Sequence, residues 1–366
     1  MMATGFVWNE LYGWHDTGTY AGLMVPGGLI QPYTHVESPE SKVRFAALVE
    51  VSGLAKHLTR IEARPATEEE ILRIHTKEHL EDIKNQSLNV KGGDAGDGES
   101  PFGHGGYEIA ALAAGGAIAA IDAVLDGTVT NAYALIRPPG HHARRGNGMG
   151  FCIFANAAVA IAHARASRGI ERVAVVDWDV HHGNGTQSIF YDDPSVLTIS
   201  IHQDDLYPRD SGSIAERGEG AGEGYAINIP LPAGSGDGAY VEVMKRVVVP
   251  ALRRFNPQVI VVASGFDASV YDQLGRMIVT SHGYREMTAV LMEVAEELCE
   301  GRIMMTHEGG YSPFYVPYCG VAVLEQMSGV RSGVEDPLGG VSTLPDQPLQ
   351  PHQKARIDEV VAAHGL

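Results

Sequence analysis

The sequence predicts an α/β fold in which a parallel β-sheet carries helices on both faces. Short apolar runs rich in β-branched residues alternate with longer segments of helical patterning. Strands that helices cover on both faces are continuously apolar in this way, whereas strands with one wet face alternate apolar and polar residues. The predicted strands are residues 131–136, 172–176, 196–201, 258–264 and 302–306.

The segments between these strands are long and apolar enough to be the covering helices. We predict helices over residues 107–125, 151–167, 239–255 and 284–300. Glycine-rich segments at 91–106 and 212–224 are expected to be surface loops, and a tail with four prolines after Ser328 is expected to be irregular. Because no repeat or linker divides residues 132–320, we predict a single catalytic domain over residues 1–366.

Composition excludes several classes of function. The 366 residues are 44% hydrophobic and 20% charged, which is typical of a globular protein, and a formal net charge of -18 disfavours binding to nucleic acid. No stretch approaches the roughly 18 consecutive apolar residues of a membrane span, and no basic segment followed by an apolar run begins the chain. We therefore expect a cytoplasmic protein without a membrane partner.

The three cysteines, Cys152, Cys299 and Cys319, lack paired spacing and are expected to be buried.

Each predicted strand is followed by a cluster of polar residues of the types used in catalysis. In open parallel sheets, ligands bind at the carboxyl ends of the strands, so these clusters are expected to meet in one pocket. They are RPPGHH at 137–142, DWDVHHGN at 177–184, HQDD at 202–205, GFD at 265–267 and HEGGY at 307–311.

The second cluster has the spacing of metal ligands. Asp177, Asp179 and His181 are spaced by two, so in an extended chain their side chains share one face. Two carboxylates and one imidazole suit a catalytic zinc, which keeps a fourth position open for water. We predict Asp179, His181 and Asp267 as the ligands. The alternative is that the aspartates cap loops and His181 is a buried polar residue, but charges that directly follow a buried strand need a compensating partner.

The histidine pair His141 and His142 follows a Pro-Pro-Gly turn. The fixed φ angles of the prolines would hold both imidazoles in one orientation, as general acid–base catalysis requires. A pair of histidines on a surface turn is the alternative.

Tyr311 follows Gly309 and Gly310, which would let the backbone approach the site closely and place a phenol there as a donor to a developing oxyanion. The alternative is a core tyrosine. Phe151 and Tyr207 are candidates for the aromatic walls of a channel, although core packing is equally compatible with either residue.

These motifs resemble the zinc-dependent histone deacetylases and acetylpolyamine amidohydrolases, and especially the class II-like bacterial histone deacetylase-like amidohydrolases. The resemblance covers roughly residues 5–330 and leaves 331–366 as a C-terminal extension. It implies an arginase–deacetylase fold with a central parallel sheet of about eight strands. The motifs that carry it are RPPGHH at 137–142, GFC at 150–152, VDWDVHHGNGTQ at 176–187, SGFDA at 264–268 and HEGGY at 307–311.

The resemblance implies a zinc-dependent deacetylase with one Zn²⁺ per subunit, bound by Asp179, His181 and Asp267 at the base of a narrow channel. By the same match, His142 is the general base and then the acid, and Tyr311 polarises the substrate carbonyl.

Two further residues are assigned by the resemblance to the histidine pair. Asp177 orients His141, the charged neighbour that stabilises the transition state. Asn184 lies opposite His142, where class I enzymes have an aspartate, and this difference favours the class II assignment.

The resemblance also implies structural K⁺ or Na⁺ ions, and we separately expect a homo-oligomer. The residues that match the first cation site are Asp177, Asp179, His181, Ser200 and Ile201, and those that match the second are Phe190, Asp193, Val196 and Tyr225. The substrate channel is expected to comprise Gly150, Phe151, Tyr207, Leu274, Gly309 and Gly310.

The substrate class stays open between acylated lysine and small acylated amines. Polyamine-selective eukaryotic members of the family carry an acidic residue at the position of Leu274, so a leucine favours acyl-lysine-like substrates over acetylpolyamines. A binuclear manganese ureohydrolase would need further bridging aspartates, and the next carboxylate after Asp267 is Asp272, without an Asp-x-Asp. An inactive binding module would be expected to lack the phenol or a histidine.

Overall fold

The computed structural model describes residues 3–366 and contains one large parallel sheet. Eight strands form this sheet in the order β10-β9-β8-β11-β12-β7-β1-β4, and every neighbouring pair is parallel. The other four strands form two short antiparallel pairs. The strands are β1 (Thr4–Val7), β2 (Thr19–Tyr20), β3 (Tyr33–Thr34), β4 (Thr59–Ile61), β5 (Gly93–Asp94), β6 (Pro101–Phe102), β7 (Asn131–Ala134), β8 (Val173–Asp177), β9 (Val196–Gln203), β10 (Ala226–Leu231), β11 (Val259–Ser264) and β12 (Ile303–His307).

Helices cover both faces of the sheet, as predicted. Helices α4 and α5 belong to one hydrophobic layer, and α1 with α7 to α11 belongs to the other. The helices are α1 (Glu40–Val51), α2 (Glu68–Leu72), α3 (Lys77–Ser87), α4 (Gly106–Leu125), α5 (Asn156–Arg168), α6 (Asn184–Phe190), α7 (Asp237–Val243), α8 (Val249–Phe255), α9 (Ser281–Cys299), α10 (Val316–Ser328) and α11 (Pro351–His364). A π-helical turn, Met244–Val248, joins α7 to α8.

Strand β8 illustrates why the apolar runs form a two-sided sheet. Val173 and Val175 pack in the layer of α4 and α5, whereas Ala174 and Val176 pack in the opposite layer. Successive side chains of a strand point to opposite faces, so a strand buried on both faces must be apolar throughout. The predicted fold class is confirmed.

Three strands of the sheet were not predicted. β1 and β4 are only four and three residues long, which is too short for a clear pattern. β10 contains Asn228 and Pro230, which interrupt its apolar run. It is an edge strand, where a proline without an N–H is tolerated.

One helix prediction and the prediction of an irregular tail were wrong in their extent. The helix predicted over 151–167 begins at Asn156, because Gly150 (φ 53°) and Phe151 (φ 71°) have left-handed backbone conformations. The tail is not irregular throughout, since α11 begins at Pro351. Proline is favoured in the first turn of a helix, and Gln350 and Gln353 form a reciprocal cap. Prolines alone therefore did not indicate an irregular segment.

By length and composition, α4 is able to cross a membrane. In the protein, 67% of its most apolar window is buried. It packs against α5, β7 and β1, so core packing accounts for its apolar sequence.

Candidate active site

Four neighbouring strands supply the polar residues of the candidate site. β8, β11, β12 and β7 are adjacent in the sheet, and their carboxyl ends lead into four of the five predicted clusters. The fifth cluster, after β9, is separate. β9 continues through Gln203, and His202 contacts Ser200 Oγ (2.9 Å) and the Gly212 carbonyl (3.0 Å). None of the polar residues 202–205 lines the cavity over the site, whereas Leu206 and Tyr207, which directly follow them, do. The prediction that five polar clusters meet in one pocket therefore fails for the cluster after β9, although the chain beyond it reaches the pocket.

Asp179, His181 and Asp267 form a buried cluster whose ligand atoms all lie within 4.8 Å of one another. His181 Nδ1 is 3.0 Å from Asp179 Oδ1 and 3.1 Å from Asp267 Oδ2. Burial and then the Asp179 carboxylate raise the pKa of Asp267 to about 7, which reflects two carboxylates crowded in a buried site. Such an arrangement favours a cation.

The hydrogen bonds of this cluster leave one oxygen free for a metal. The Asp179 oxygens accept from the N–H groups of His181 (2.9 Å) and Gly309 (2.8 Å), and Asp267 Oδ1 accepts from Val180 N–H (2.8 Å). Asp267 Oδ2 is buried and accepts no well-aligned hydrogen bond among residues 3–366, and its close polar neighbour is His181 Nδ1 at 3.1 Å, a ligand atom of the same cluster. A buried carboxylate oxygen without a partner is costly unless it binds an ion. The donor set of two carboxylates and one imidazole therefore fits a catalytic metal.

The structural reason for this convergence differs from the one predicted. β8 ends at Asp177, and Asp179 and His181 lie in the bends that follow, not on an extended strand. Side-chain acceptors fold this segment, since Asp177 Oδ1 accepts from Asp179 N–H (3.0 Å). Asp177 does not join the cluster, because its other oxygen contacts His141 Nδ1 at 2.9 Å.

The histidine pair lies side by side with different partners. The ring centroids of His141 and His142 are 3.9 Å apart. His141 Nδ1 contacts the Asp177 carboxylate, whereas His142 Nδ1 is 2.6 Å from the amide oxygen Asn184 Oδ1. An amide oxygen only accepts, so His142 Nδ1 carries the proton and Nε2 is left with a lone pair.

The two imidazoles have opposite pKa shifts. Burial opposes the charging of His141, but the carboxylates of Asp179 and Asp177 outweigh it and raise the pKa of His141 well above its ordinary value. Burial and then the charge of His141 lower the pKa of His142. The pair therefore combines a cationic imidazole with a neutral one.

Glu308 fixes the turn that carries the histidine pair, a role that sequence reasoning did not assign. Its Oε2 accepts from the N–H groups of Gly140 (2.7 Å) and His141 (3.0 Å), and its Oε1 accepts from Thr306 Oγ1 (2.8 Å). The carboxylate is fully buried, so it ties the end of β12 to the turn after β7. Its position directly after a predicted strand was the only available signal.

A cavity of about 210 Å³ opens over the cluster. The predicted channel residues Gly150, Phe151, Tyr207 and Leu274 line it together with Tyr311. The rest of its lining comprises Leu23, Glu99, His142, His181 and Leu206. The Tyr311 ring packs edge-on against Phe151, with centroids 5.7 Å apart.

Gly309 and Gly310 lie behind this cavity and are absent from its lining. The Gly309 N–H donates to Asp179, and its backbone lies so close to the Asp179 and Asp267 carboxylates that a Cβ would collide with them. The Gly310 carbonyl accepts from Ser41 Oγ at 2.9 Å. Both glycines therefore act on the site through the backbone.

Asp272 positions two residues of the channel. Its Oδ2 accepts from Tyr311 N–H (2.7 Å) and its Oδ1 from Leu274 N–H (2.9 Å). Both oxygens are thus committed to backbone donors, and Asp272 is not part of the metal-type cluster. This arrangement argues against a second, bridging metal at this carboxylate.

The residues matched to cation sites lie in two places. Ser200 Oγ accepts from Gly183 N–H (3.3 Å) beside Asp177, and Ile201 is buried in β9. At the second set, the carbonyls of Phe190, Asp193 and Tyr225 accept from the N–H groups of Asp193 (3.0 Å), Val196 (3.3 Å) and Thr198 (2.9 Å) respectively. The Asp193 carboxylate is paired with Arg165 at 2.7 Å.

A buried Asp–His–Asp cluster and a histidine pair thus lie together at the carboxyl end of the parallel sheet. Comparison with known proteins gives the family: the model of the histone deacetylase domain matches residues 35–327. The chain therefore belongs to the histone deacetylase family, and this membership supports deacetylase activity.

The chain is similar to members of this family over nearly its whole length. It is 49% identical to a histone deacetylase-like amidohydrolase of Pseudomonas aeruginosa, over 99% of this chain and 96% of that protein. It is 37% identical to a probable deacetylase of Archaeoglobus fulgidus, over 92% and 89% of the two chains. The crystal structure of the HDA15 HD domain superposes with a TM-score of 0.86 at 32% identity, covering 99% of this chain and 94% of that one.

Proposed function

We propose that the protein is a zinc-dependent amidohydrolase that removes acetyl or other acyl groups from lysine-like amines. The observation that carries the proposal is the buried Asp–His–Asp cluster, in which the ligand atoms converge without a well-aligned hydrogen bond to Asp267 Oδ2, beside a cavity lined by His142, His181 and Tyr311. Zinc bound there would polarise the amide carbonyl and lower the pKa of a water molecule. Asp179, His181 and Asp267 would hold it.

The protein's own residues account for the proton transfers. His142 Nε2 accepts a proton from the attacking water, because its Nδ1 proton is committed to Asn184. His141, held by Asp177, supplies positive charge beside the developing oxyanion, and the phenol of Tyr311 donates a hydrogen bond to it. His142 then returns the proton to the leaving amine, which gives the free amine and the carboxylic acid.

The proposal is tested by turnover of acetyl-lysine peptides, trifluoroacetyl-lysine and acetylated polyamines. Each substrate is assayed with the protein as purified, after removal of metal by a chelator, and after zinc is restored. We expect turnover that is lost with the metal and regained with zinc. An absence of metal-dependent turnover with every substrate would overturn the proposal.

A second candidate substrate class, acetylpolyamines, is favoured by Glu99 at the cavity mouth. Glu99 lines the cavity, and its neighbours anchor this loop to the channel: Asp97 Oδ2 accepts from Gly150 N–H (2.7 Å) and Ser100 Oγ from Phe151 N–H (2.9 Å). The loop thus holds a carboxylate where a second, distal ammonium of the substrate would lie. An acidic residue is therefore available at the mouth even though Leu274 is apolar.

Glu99→Gln distinguishes the two classes. If the carboxylate recruits a distal ammonium, kcat/KM for an acetylated diamine should fall by about 3- to 5-fold relative to a neutral N-alkylacetamide, as expected for a partly exposed charge pair. Glu335→Gln, an exposed glutamate in the tail, is the matched control. If Glu99→Gln leaves the ratio of the two kcat/KM values unchanged, acylated lysine stays the favoured substrate class.

Three further expectations accompany this proposal. We propose structural K⁺ or Na⁺ at the residues named above, a cytoplasmic location and assembly into a homo-oligomer. The carbonyls of Phe190, Asp193 and Tyr225 each have a second lone pair that a cation could use.

A further inference from the structure

A second cavity of about 360 Å³ lies at the opposite edge of the sheet, near the amino ends of β8, β9 and β10. Arg172 precedes β8, Arg217 belongs to the loop before β10, Arg254 lies in the last turn of α8, and His364 ends α11. All four line the cavity, together with the rings of Tyr225 and Phe255. It shares no lining residue with the catalytic cavity.

The positive charge of this cavity is only partly compensated. The one carboxylate in its lining is Glu223, whose Oε1 lies 3.9 Å from Arg217 Nε, within range of an ion pair but too far for a hydrogen bond. Arg172 Nε donates to the Asn256 carbonyl (2.9 Å), and Arg254 Nη1 donates to the His364 carbonyl (2.8 Å). In a chain with a net charge of -18, three arginines around one cavity are an exception that surface solubility does not explain.

Unpartnered polar atoms also face this cavity. His364 is 5% exposed, and neither of its ring nitrogens has a hydrogen-bond partner among residues 3–366. The buried Nε of Arg217 likewise has none. Buried polar atoms are nearly always paired with protein, water or a ligand, and leaving three unpaired at one place, two of them donors and one an acceptor nitrogen of the neutral imidazole, is costly. Burial and then the guanidinium groups of Arg217 and Arg254 lower the pKa of His364 to about 4, so these groups lie close together.

We propose that this cavity binds a small multivalent oxyanion, of the phosphate or carboxylate type, between Arg217, Arg254 and His364. Guanidinium groups match the geometry of such oxyanions and bind them through charge-assisted hydrogen bonds. Arg217 Nε and a His364 N–H are the unpartnered donors that the anion would accept from. Tyr225 and Phe255 provide apolar contact for an organic part of the ligand.

The test measures binding of inorganic phosphate and of citrate to the full chain by calorimetry, at an ionic strength held constant with chloride so that general screening does not change. We expect saturable binding of at least one anion, and the tighter of the two identifies the phosphate or the carboxylate type. No saturable binding of either anion would overturn the proposal.

Variants locate the site. Arg254→Gln and Arg217→Gln should each weaken binding by roughly 10-fold, since a charge-assisted hydrogen bond is lost. Arg253→Gln is the matched control, because Arg253 neighbours Arg254 but is paired with Glu297 at 2.7 Å, away from the cavity. Equal affinity in Arg253→Gln and Arg254→Gln would overturn the proposal. The NMR resonances of the His364 ring in the unmutated protein test the location independently. Saturable binding that does not shift these resonances would contradict binding of the anion in this cavity.

Discussion

The carboxyl and amino edges of the sheet, where the strands end and begin, differ in how many of their buried polar atoms are hydrogen-bonded. At the carboxyl edge, both oxygens of Asp177, Asp179 and Glu308 are engaged, mostly by backbone N–H groups. At the amino edge, both nitrogens of His364 and the Nε of Arg217 have no partner. A satisfied network fixes its members in place, whereas unpartnered buried atoms need another partner, such as a water molecule, an ion or a ligand.

The carboxyl edge also has unpartnered buried atoms, namely Asp267 Oδ2, Tyr207 Oη and His307 Nε2, and only the first belongs to the Asp–His–Asp cluster. Asp267 Oδ2 accepts no well-aligned hydrogen bond and contacts only the neighbouring ligand atom His181 Nδ1, and it is an atom that the proposed zinc would bind. Substitutions in the satisfied network are therefore expected to be costly, and substitutions among the unpartnered atoms of the amino edge should be tolerated in the absence of a ligand.

The largest expected effect is on stability. Glu37 is fully buried and accepts from Arg137 Nη2 at 2.7 Å, and Lys42 lies 3.2 Å away. Glu37→Gln removes the charge that compensates two buried cations beneath the histidine turn, so the free energy of unfolding should fall by about 3–5 kcal/mol. Urea denaturation measures this change. Glu62→Gln, which removes an exposed partner of Arg60, is the control, and equal midpoints for the two variants would contradict the prediction.

The next effect is on turnover. Tyr311→Phe removes the phenol that faces the proposed reaction centre but keeps the ring that packs on Phe151. We expect kcat to fall by roughly 100-fold or more with an unchanged metal content, as for loss of one oxyanion donor. Tyr271→Phe, an exposed tyrosine near the channel loop, should retain full activity. Near-normal turnover of Tyr311→Phe would show that Tyr311 only packs in the core and does not contribute its phenol to catalysis.

A smaller effect is expected for Asp272. Asp272→Asn keeps one acceptor oxygen and replaces the other with an amide that cannot accept from Tyr311 or Leu274. Loss of one positioning hydrogen bond should lower kcat by about 10-fold without loss of metal. Steady-state kinetics and metal analysis together measure this, and loss of bound metal would show instead that Asp272 supports the Asp–His–Asp cluster.

The smallest effect is expected at the amino edge. His364→Phe replaces two unpartnered nitrogens with apolar atoms of similar shape, so without anions the free energy of unfolding should stay within about 1 kcal/mol or rise. Thermal unfolding in chloride buffer measures it. A loss as large as that of Glu37→Gln would mean that His364 has protein partners and that the two edges do not differ.

The sequence predicted the parts of the molecule that repeat a local pattern. The central strands are apolar throughout, and the polar residues that follow β7, β8, β11 and β12 lie together because these strands are neighbours in the sheet. Order along the chain did not reveal that β9 lies outside this group. Pro230 and Asn228 hid β10, and prolines in the tail concealed α11.

Residues whose partners are distant in sequence were missed. Glu308 bonds to Gly140 and Asp272 to Tyr311, so each role depends on a pairing that only the folded chain creates. Glu99 lies in a glycine-rich segment predicted only as a loop. The cavity lined by Arg172, Arg217 and Arg254 combines residues from five separate segments, none of which has a distinctive motif.

The central claim is that one metal ion occupies the Asp–His–Asp cluster. Anomalous diffraction at the zinc absorption edge from crystals of the purified protein tests this directly. We predict one peak per chain, at about 2.0–2.2 Å from ligand atoms of Asp179, His181 and Asp267. A chain that binds no zinc at this cluster in zinc-containing buffer, or that binds two ions there, would contradict the account.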